Sequence, residues 1–223
     1  MPTVLITGCD RGIGREFARQ YDDAGFQVIA TCHDPANAFT DRPRIRNQPL
    51  DVTDFAQFDA LARTIGDEPI DLLVSNAGIG LDTRALGAID FGYVNRMLAV
   101  NTVGALKLVE TFTENVAAGS LRRVALVTSR MGSIASNLSG GHYGYRASKA
   151  ALNAIGRSLA LDLFPRGIVV VMIHPGWVDT AGGGESAALG VEESVAGMRD
   201  VIRRLGNHET GEFLNHAGQR LPW

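Results

Sequence analysis

The chain has 223 residues, 45% hydrophobic and 20% charged, enough apolar material for a substantial core and no compositional sign of disorder. Its 21 basic side chains stand against 24 acidic ones, and a net charge of −3 argues against a general binder of nucleic acid or anionic membrane, because neutralising phosphates takes a concentrated basic surface. Cys9 and Cys32 are the only cysteines, too few to staple a domain of this size.

From the first residues on, Met1–Gly8 shows no basic stretch leading into a long apolar run. No apolar run approaches the roughly 18 residues of a membrane span, so a soluble, cytoplasmic protein with reduced thiols is expected. Apolar and β-branched runs predict strands at Val4–Ile6, Gln27–Thr31, Arg44–Leu50, Leu72–Ser75, Val124–Thr128 and Val169–His174. Most are continuous rather than alternating, as in a parallel sheet buried on both faces. Helical patterns fill the intervals at Gly12–Ala24, Asp54–Ile65, Val100–Ala118 and Tyr143–Phe164. A last helix, Glu192–Leu205, opens on Glu192 and Glu193 and closes on Arg203 and Arg204, which complements its dipole. Strand and helix in repeated alternation give an α/β fold with right-handed crossovers. The segment Ala181–Leu189, with three consecutive glycines, is the candidate mobile loop.

The turn after the first strand reads Thr7-Gly8-Cys9-Asp10-Arg11-Gly12-Ile13-Gly14 and opens the first helix. Glycines there let the backbone approach a pyrophosphate, which rests on free N–H groups at the helix N-terminus. No Gly-Lys-Ser/Thr follows, so this is not a nucleotide triphosphatase loop. The spacing of Gly8, Gly12 and Gly14 also differs from the commonest dinucleotide fingerprint. Asp51-Val52, Asn76-Ala77-Gly78 and Pro175-Gly176 stand at later strand ends. Each alone reads as turn chemistry. Together, on one sheet edge, they describe a site.

Tyr145 and Lys149 are spaced i, i+4 at a helix start, so they share a face. A neighbouring ammonium favours a phenolate, which predicts a lowered tyrosine pKa and proton transfer nearer neutral pH. Ser129 is placed to hydrogen-bond a reacting carbonyl oxygen, and Asn101 to hold a water that relays protons through the lysine. Only Lys107 and Lys149 among the 21 basic residues are lysines. A compact ammonium sits under a phenol better than a larger, differently aimed guanidinium does.

These motifs, with Val178 and Thr180 after Pro175-Gly176, occur in an order that resembles the short-chain dehydrogenase/reductase family over most of the chain. The run Ser129-Arg130-Met131-Gly132-Ser133-Ile134 and the ending Leu221-Pro222-Trp223 resemble its C-factor-like and sniffer-like carbonyl reductase branch. The resemblance implies a single-domain Rossmann fold over residues 1–223, a doubly wound, mostly parallel sheet with helices on both faces. It also implies an Asn101–Ser129–Tyr145–Lys149 tetrad, hydride transfer between a nicotinamide cofactor and a carbonyl or secondary alcohol, and no metal. The cofactor contacts fall on Gly8, Arg11, Gly12, Ile13, Gly14, Cys32, His33, Asp51, Val52, Asn76, Ala77, Gly78, Tyr145, Lys149, Pro175, Gly176, Val178 and Thr180. The family's serine position, about thirteen residues before the tyrosine, is Gly132 here; alignment on the strand end gives Ser129, sixteen before, with Ser133 as competitor. Tyr143 has Ala147, not a lysine, four residues on. It reads as a pocket residue, and His142 as a pocket or an exposed loop residue.

Where NAD enzymes of this type carry an acid, this chain has Cys32, followed by His33. With Arg11 this favours NADP(H), while Asp34 keeps NAD(H) open. Met131, Leu138, Tyr143 and Trp177 are expected to line an open site of modest selectivity. A dimer or tetramer pairing through residues 100–118 and 143–164 is implied. The alternatives are an NAD-dependent alcohol dehydrogenase and a dinucleotide-binding signalling protein of C-factor type.

Overall fold

The structure is a computed structural model that describes residues 1–34, 39–80, 83–178 and 189–223. Seven strands form one sheet: β1 (Thr3–Thr7), β2 (Gln27–Cys32), β3 (Ile45–Pro49), β4 (Leu72–Ser75), β5 (Arg123–Val127), β6 (Val169–His174) and β7 (Phe213–Asn215). Their spatial order is β3-β2-β1-β4-β5-β6-β7, and every pairing between them is parallel. The order reverses at β1, so the crevice at the carboxyl ends of β1 and β4 is the natural ligand edge.

Period-2 side chains divide the interior in two. Val4 and Ile6 face one layer with Phe17, Val171 and Met198, under α1 (Gly12–Asp23) and α6 (Val191–Arg204). Leu5 faces the other with Phe58, Phe112 and Leu152, under α2 (Phe55–Ile65), α4 (Gly104–Ala118) and α5 (Tyr143–Leu163). Burial on both faces explains the unbroken apolar runs.

The helix starts follow local chemistry. Asp54 caps α2 by accepting from Ala56 N, and α6 carries acids in its first turn and arginines in its last. The sequence reading missed two elements. α3 (Phe91–Leu98) is capped by Asp90, whose side chain accepts from Tyr93 N at 3.0 Å, and β7 has three residues, too few for a periodic signal. The helix expected from Val100 instead begins with a π turn, Ala99–Val103, that joins α3 to α4. β5 starts and ends one residue earlier than expected.

Candidate active site

At the nucleotide edge, Gly8 and Gly12 adopt positive φ of 72° and 53°, which bends the chain from β1 into α1. A Cβ at Gly14 would overlap Gly8 O and Asn76 Nδ2. Asn76 Nδ2 donates to Thr7 O at 2.9 Å and Gly8 O at 3.2 Å, while Thr7 Oγ1 accepts from Asn76 N and Ala77 N. The glycine turn and the end of β4 are therefore clamped together.

Arg11 at the head of α1 makes no side-chain cap, leaving first-turn N–H groups for an anion, and Ile13 is partly buried beside it. Arg11 is exposed and forms no ion pair with a described residue. The exposed Arg11, the first turn of α1 without a side-chain cap and the Cβ-free cradle at Gly14 fit a dinucleotide pyrophosphate.

At the end of β2, Cys32 is packed in the core, so only its main chain faces the edge, whereas His33 is exposed. Asp10 accepts from His33 N at 3.2 Å and Asp34 N at 2.7 Å and so fixes this turn. His33 Nε2 lies 3.6 Å from Asp51 Oδ2, and Asp51 also accepts from Thr53 N and Oγ1. Val52 packs against Gly104 of α4. Burial pushes the Cys9 thiol well up and Cys32 to about 11, the behaviour of inert thiols.

Beyond β5, Ser129, Tyr145 and Lys149 converge. Ser129 Oγ accepts from Met131 N at 3.1 Å and hydrogen-bonds Tyr145. Ser133 Oγ instead donates to Trp223 O at 3.2 Å and accepts from Ser136 N, away from the tyrosine. The buried Lys149 donates from Nζ to Val127 O at 3.0 Å, with Nζ 6.0 Å from the Tyr145 ring centre. Burial alone lowers Lys149 from 10.5 to about 8. Tyr145 corrects the sequence expectation: burial raises its pKa, and the Ser129 hydrogen bond offsets only part of that. The lysine is turned onto a carbonyl and is itself half-deprotonated near pH 8, so it does not dominate the phenol.

Asn101 lies in the π turn with its amide engaged rather than open to a water. Oδ1 accepts from Ile79 N at 2.8 Å, and Nδ2 donates to Ile79 O and Ser148 Oγ. A Cβ at Gly78 would stand 3.2 Å from Asn101 Oδ1 and 3.7 Å from Lys149 Nζ, so the Asn76–Gly78 turn lies directly beside both.

The turn after β6 places Gly176 at φ 91°, Pro175 O accepts from Ser194 Oγ of α6 at 2.6 Å, and Val178 bridges to Leu189. Thr180 and the candidate mobile loop lie outside the described residues, apart from Leu189 at its end. Tyr143 and Trp177 form a partly exposed apolar rim, with Met131 half-buried. Leu138, expected as lining, is 95% exposed and forms no wall. His142 precedes α5 at φ 51°.

Residues that sequence reasoning missed are Asp10, Ser148 and the Thr128–Asn153 pair, in which Thr128 Oγ1 lies 2.7 Å from Asn153 Oδ1.

The family model described as short chain dehydrogenase matches residues 2–188. The C-signal protein of Myxococcus xanthus is 44% identical over 164 residues, 74% of this chain and 99% of its own length. The carbonyl reductase Sniffer of D. melanogaster superposes with a TM-score of 0.90 at 31% identity, covering 100% of both chains. An NADPH-bound carbonyl reductase from chicken fatty liver superposes with a TM-score of 0.91 at 29% identity, covering 100% of this chain and 94% of that one.

Proposed function

The chain belongs to the short chain dehydrogenase family of oxidoreductases, and on that premise we propose that it is an NADP(H)-dependent carbonyl reductase working through Tyr145. The observation that carries the reading is the contact of Ser129 with Tyr145, one helical turn before a buried Lys149 at the dinucleotide edge.

The glycine turn and Arg11 would hold the cofactor's phosphates, with Asp51, Val52 and the Asn76–Gly78 turn along its adenosine and ribose side. Arg11 and His33 favour the 2′-phosphate form, and the NADPH-bound neighbour supports the same choice. When bound, the nicotinamide supplies a hydride to the carbonyl carbon. Tyr145 delivers the proton to the carbonyl oxygen. Because Ser129 Oγ already accepts from Met131 N, its own proton is available to polarise that oxygen. Lys149 holds the ribose hydroxyls, and its ammonium stabilises the phenolate left behind. Asn101 acts as a positioning residue that ties the Gly78–Ile79 turn to α5 through Ser148.

Tyr145→Phe is expected to lower kcat/KM for aldehydes by about 10²–10⁴-fold, the usual worth of a positioned general acid. Its NADPH affinity should stay within a few-fold of the native protein, and retained turnover would refute the assignment.

The C-signal relative supports a second reading, a dinucleotide-binding signalling protein without need of turnover. A screen of aldehydes, diketones and quinones with NADPH separates the two, and Kd values for NADPH and NADH separate either from an NAD-dependent alcohol dehydrogenase. Exposed Val103, Leu106 and Leu161 on the faces of the π turn, α4 and α5, with Phe164 just after α5, support self-association. A monomer by light scattering at micromolar concentration would count against it.

A further inference from the structure

Ser133, the serine that the reaction above does not use, is only 1% exposed and closes the 3-10 turn Arg130–Gly132 that Ser129 opens. Ser129 Oγ accepts from Met131 N at 3.1 Å, Ser129 O from Gly132 N at 2.8 Å and Arg130 O from Ser133 N at 3.0 Å. Three residues of 3-10 helix have little stability of their own, so the direction of the Ser129 hydroxyl depends on what fixes the turn. One anchor is α5, against which the turn is pressed: a Cβ at Gly132 would lie 2.7 Å from the carbonyl carbon of Lys149. Past Ser133 the chain runs out toward solvent, with Ile134, Ala135 and Leu138 exposed.

A second anchor comes from 90 residues away in the chain. Trp223 O accepts from Ser133 Oγ at 3.2 Å and from Ala135 N at 2.9 Å. Ser133 Oγ in turn accepts from Ser136 N at 3.0 Å. A single carbonyl oxygen, with its two lone pairs, therefore grips the chain on both sides of Ile134, just where it leaves the Ser129 turn.

Trp223 is itself held in place. After β7 the chain reverses through residues 215–219, where Asn215 Oδ1 accepts from Ala217 N and Gln219 N. Leu221 N then donates to Phe213 O at 2.8 Å, and the Leu221 side chain packs on the core layer that contains Phe213. The Trp223 ring lies 5.6 Å from the Phe213 ring at a tilt of 35°. Phe213 is buried and pairs with Met172 of β6. An unbroken run of contacts thus leads from the sheet through Phe213 and Trp223 to the turn that carries Ser129.

We propose that Trp223 is a positioning residue for Ser129: its ring, seated on Phe213, aims its main-chain oxygen at Ser133 and Ala135, and that grip keeps the Ser129 hydroxyl directed at the substrate oxygen. This rests on the reductase reading above. Ser133 then has a use of its own as the receiver of the grip, with its hydroxyl turned away from the tyrosine. Loosening the grip leaves the dinucleotide edge untouched and penalises the transition state, where the developing negative charge on oxygen needs a donor already in place.

Trp223→Ala should lower kcat for 4-nitrobenzaldehyde at saturating NADPH by about tenfold, with KM and NADPH affinity within about threefold of native. Trp223→Phe, which keeps a ring on Phe213, should recover most of the loss, and Ser133→Ala should lower kcat from the other side of the same link. A native kcat in Trp223→Ala, or a loss carried by KM or NADPH affinity, overturns the proposal. Adding Trp223→Ala to Ser129→Ala should cost less than about twofold more, and a second full loss would overturn the claim that the residue acts through Ser129. Amide exchange reads the link without turnover. In Trp223→Ala, exchange at Met131 N, which Ser129 Oγ holds, should quicken about tenfold or more while β5 is unchanged. Native exchange at Met131, or an equal rise in β5, overturns the proposal. Should Trp223→Ala fail to fold, Ser133→Ala carries the same comparisons. If the native protein reduces no aldehyde, diketone or quinone, the reductase reading fails separately, and exchange at Met131 still decides whether Trp223 holds Ser129.

Discussion

Replacing Lys149 by methionine should stabilise the protein while removing its activity. Lys149 is 5% exposed, and its ammonium, which donates to Val127 O, is mostly desolvated. A fall from 10.5 to about 8 corresponds to roughly 3 kcal/mol of cost for carrying the charge in the folded state. The lysine is protonated in both states below about pH 8, so the whole cost is present there. Between about 8 and 10.5 the unfolded chain binds the extra proton, and native stability gains with rising pH. The Lys149→Met variant has no such group. It should be more stable than the native protein by about 1–2 kcal/mol at pH 7, the desolvation cost offset by about 1 kcal/mol for the hydrogen bond lost at Val127 O. By pH 10.5 the advantage should have vanished or reversed. Urea unfolding of both proteins at pH 7, 8.5, 9.5 and 10.5 reads the difference directly. A difference that stays flat across that range would refute the buried, desolvated ammonium.

Other perturbations probe the scaffold around the site. Asp71 accepts from Thr3 N, Ser120 N and Ser120 Oγ; burial raises its pKa, but these bonds more than offset it and hold the carboxyl below the usual range. Asp71→Asn should cost about 1–3 kcal/mol at pH 7, and because a depressed carboxylate gives its stability up only as pH falls through the folded pKa, the gap to the native protein should close below about pH 4. Asn76→Ala removes the side-chain amide whose Nδ2 donates to both Thr7 O and Gly8 O, and should cost about 1–3 kcal/mol by thermal unfolding, with NADPH affinity down tenfold or more by fluorescence titration. Cys9 and Cys32 should stay unreactive toward Ellman's reagent at pH 8 in the folded protein and react fully in guanidinium.

The parallel sheet was legible because strands buried on both faces cannot alternate, so Val4–Ile6 and Val169–Ile173 had to read as unbroken apolar runs. β7 was not, since three residues carry no period and their place is set by pairing with Met172–His174. Tyr145 and Lys149 were legible because four residues on a helix fix a shared face. Counting could not separate Ser129 from Ser133, and the separation came from long-range partners, Tyr145 for one and Trp223 O for the other. Asp10 and Ser148 were invisible for the same reason, with partners 23 to 47 residues away. The direction of the Tyr145 shift was misjudged because the i, i+4 spacing reports a neighbouring charge and says nothing of the burial that outweighs it.

The π turn at Ala99–Val103 restricts how this part of the gene can change. Within it Asn101 must face Ile79 and Ser148, and directly after it Gly104 must lie flush on Val52. Each residue of a helix turns the chain by about 100° and advances it about 1.5 Å. Deleting one residue here would restore a regular α-helix and swing one of those two faces off its partner. Insertions and deletions between α3 and α4 should therefore be far less tolerated than substitutions, a contrast that a library of single-codon deletions across residues 91–118 would expose.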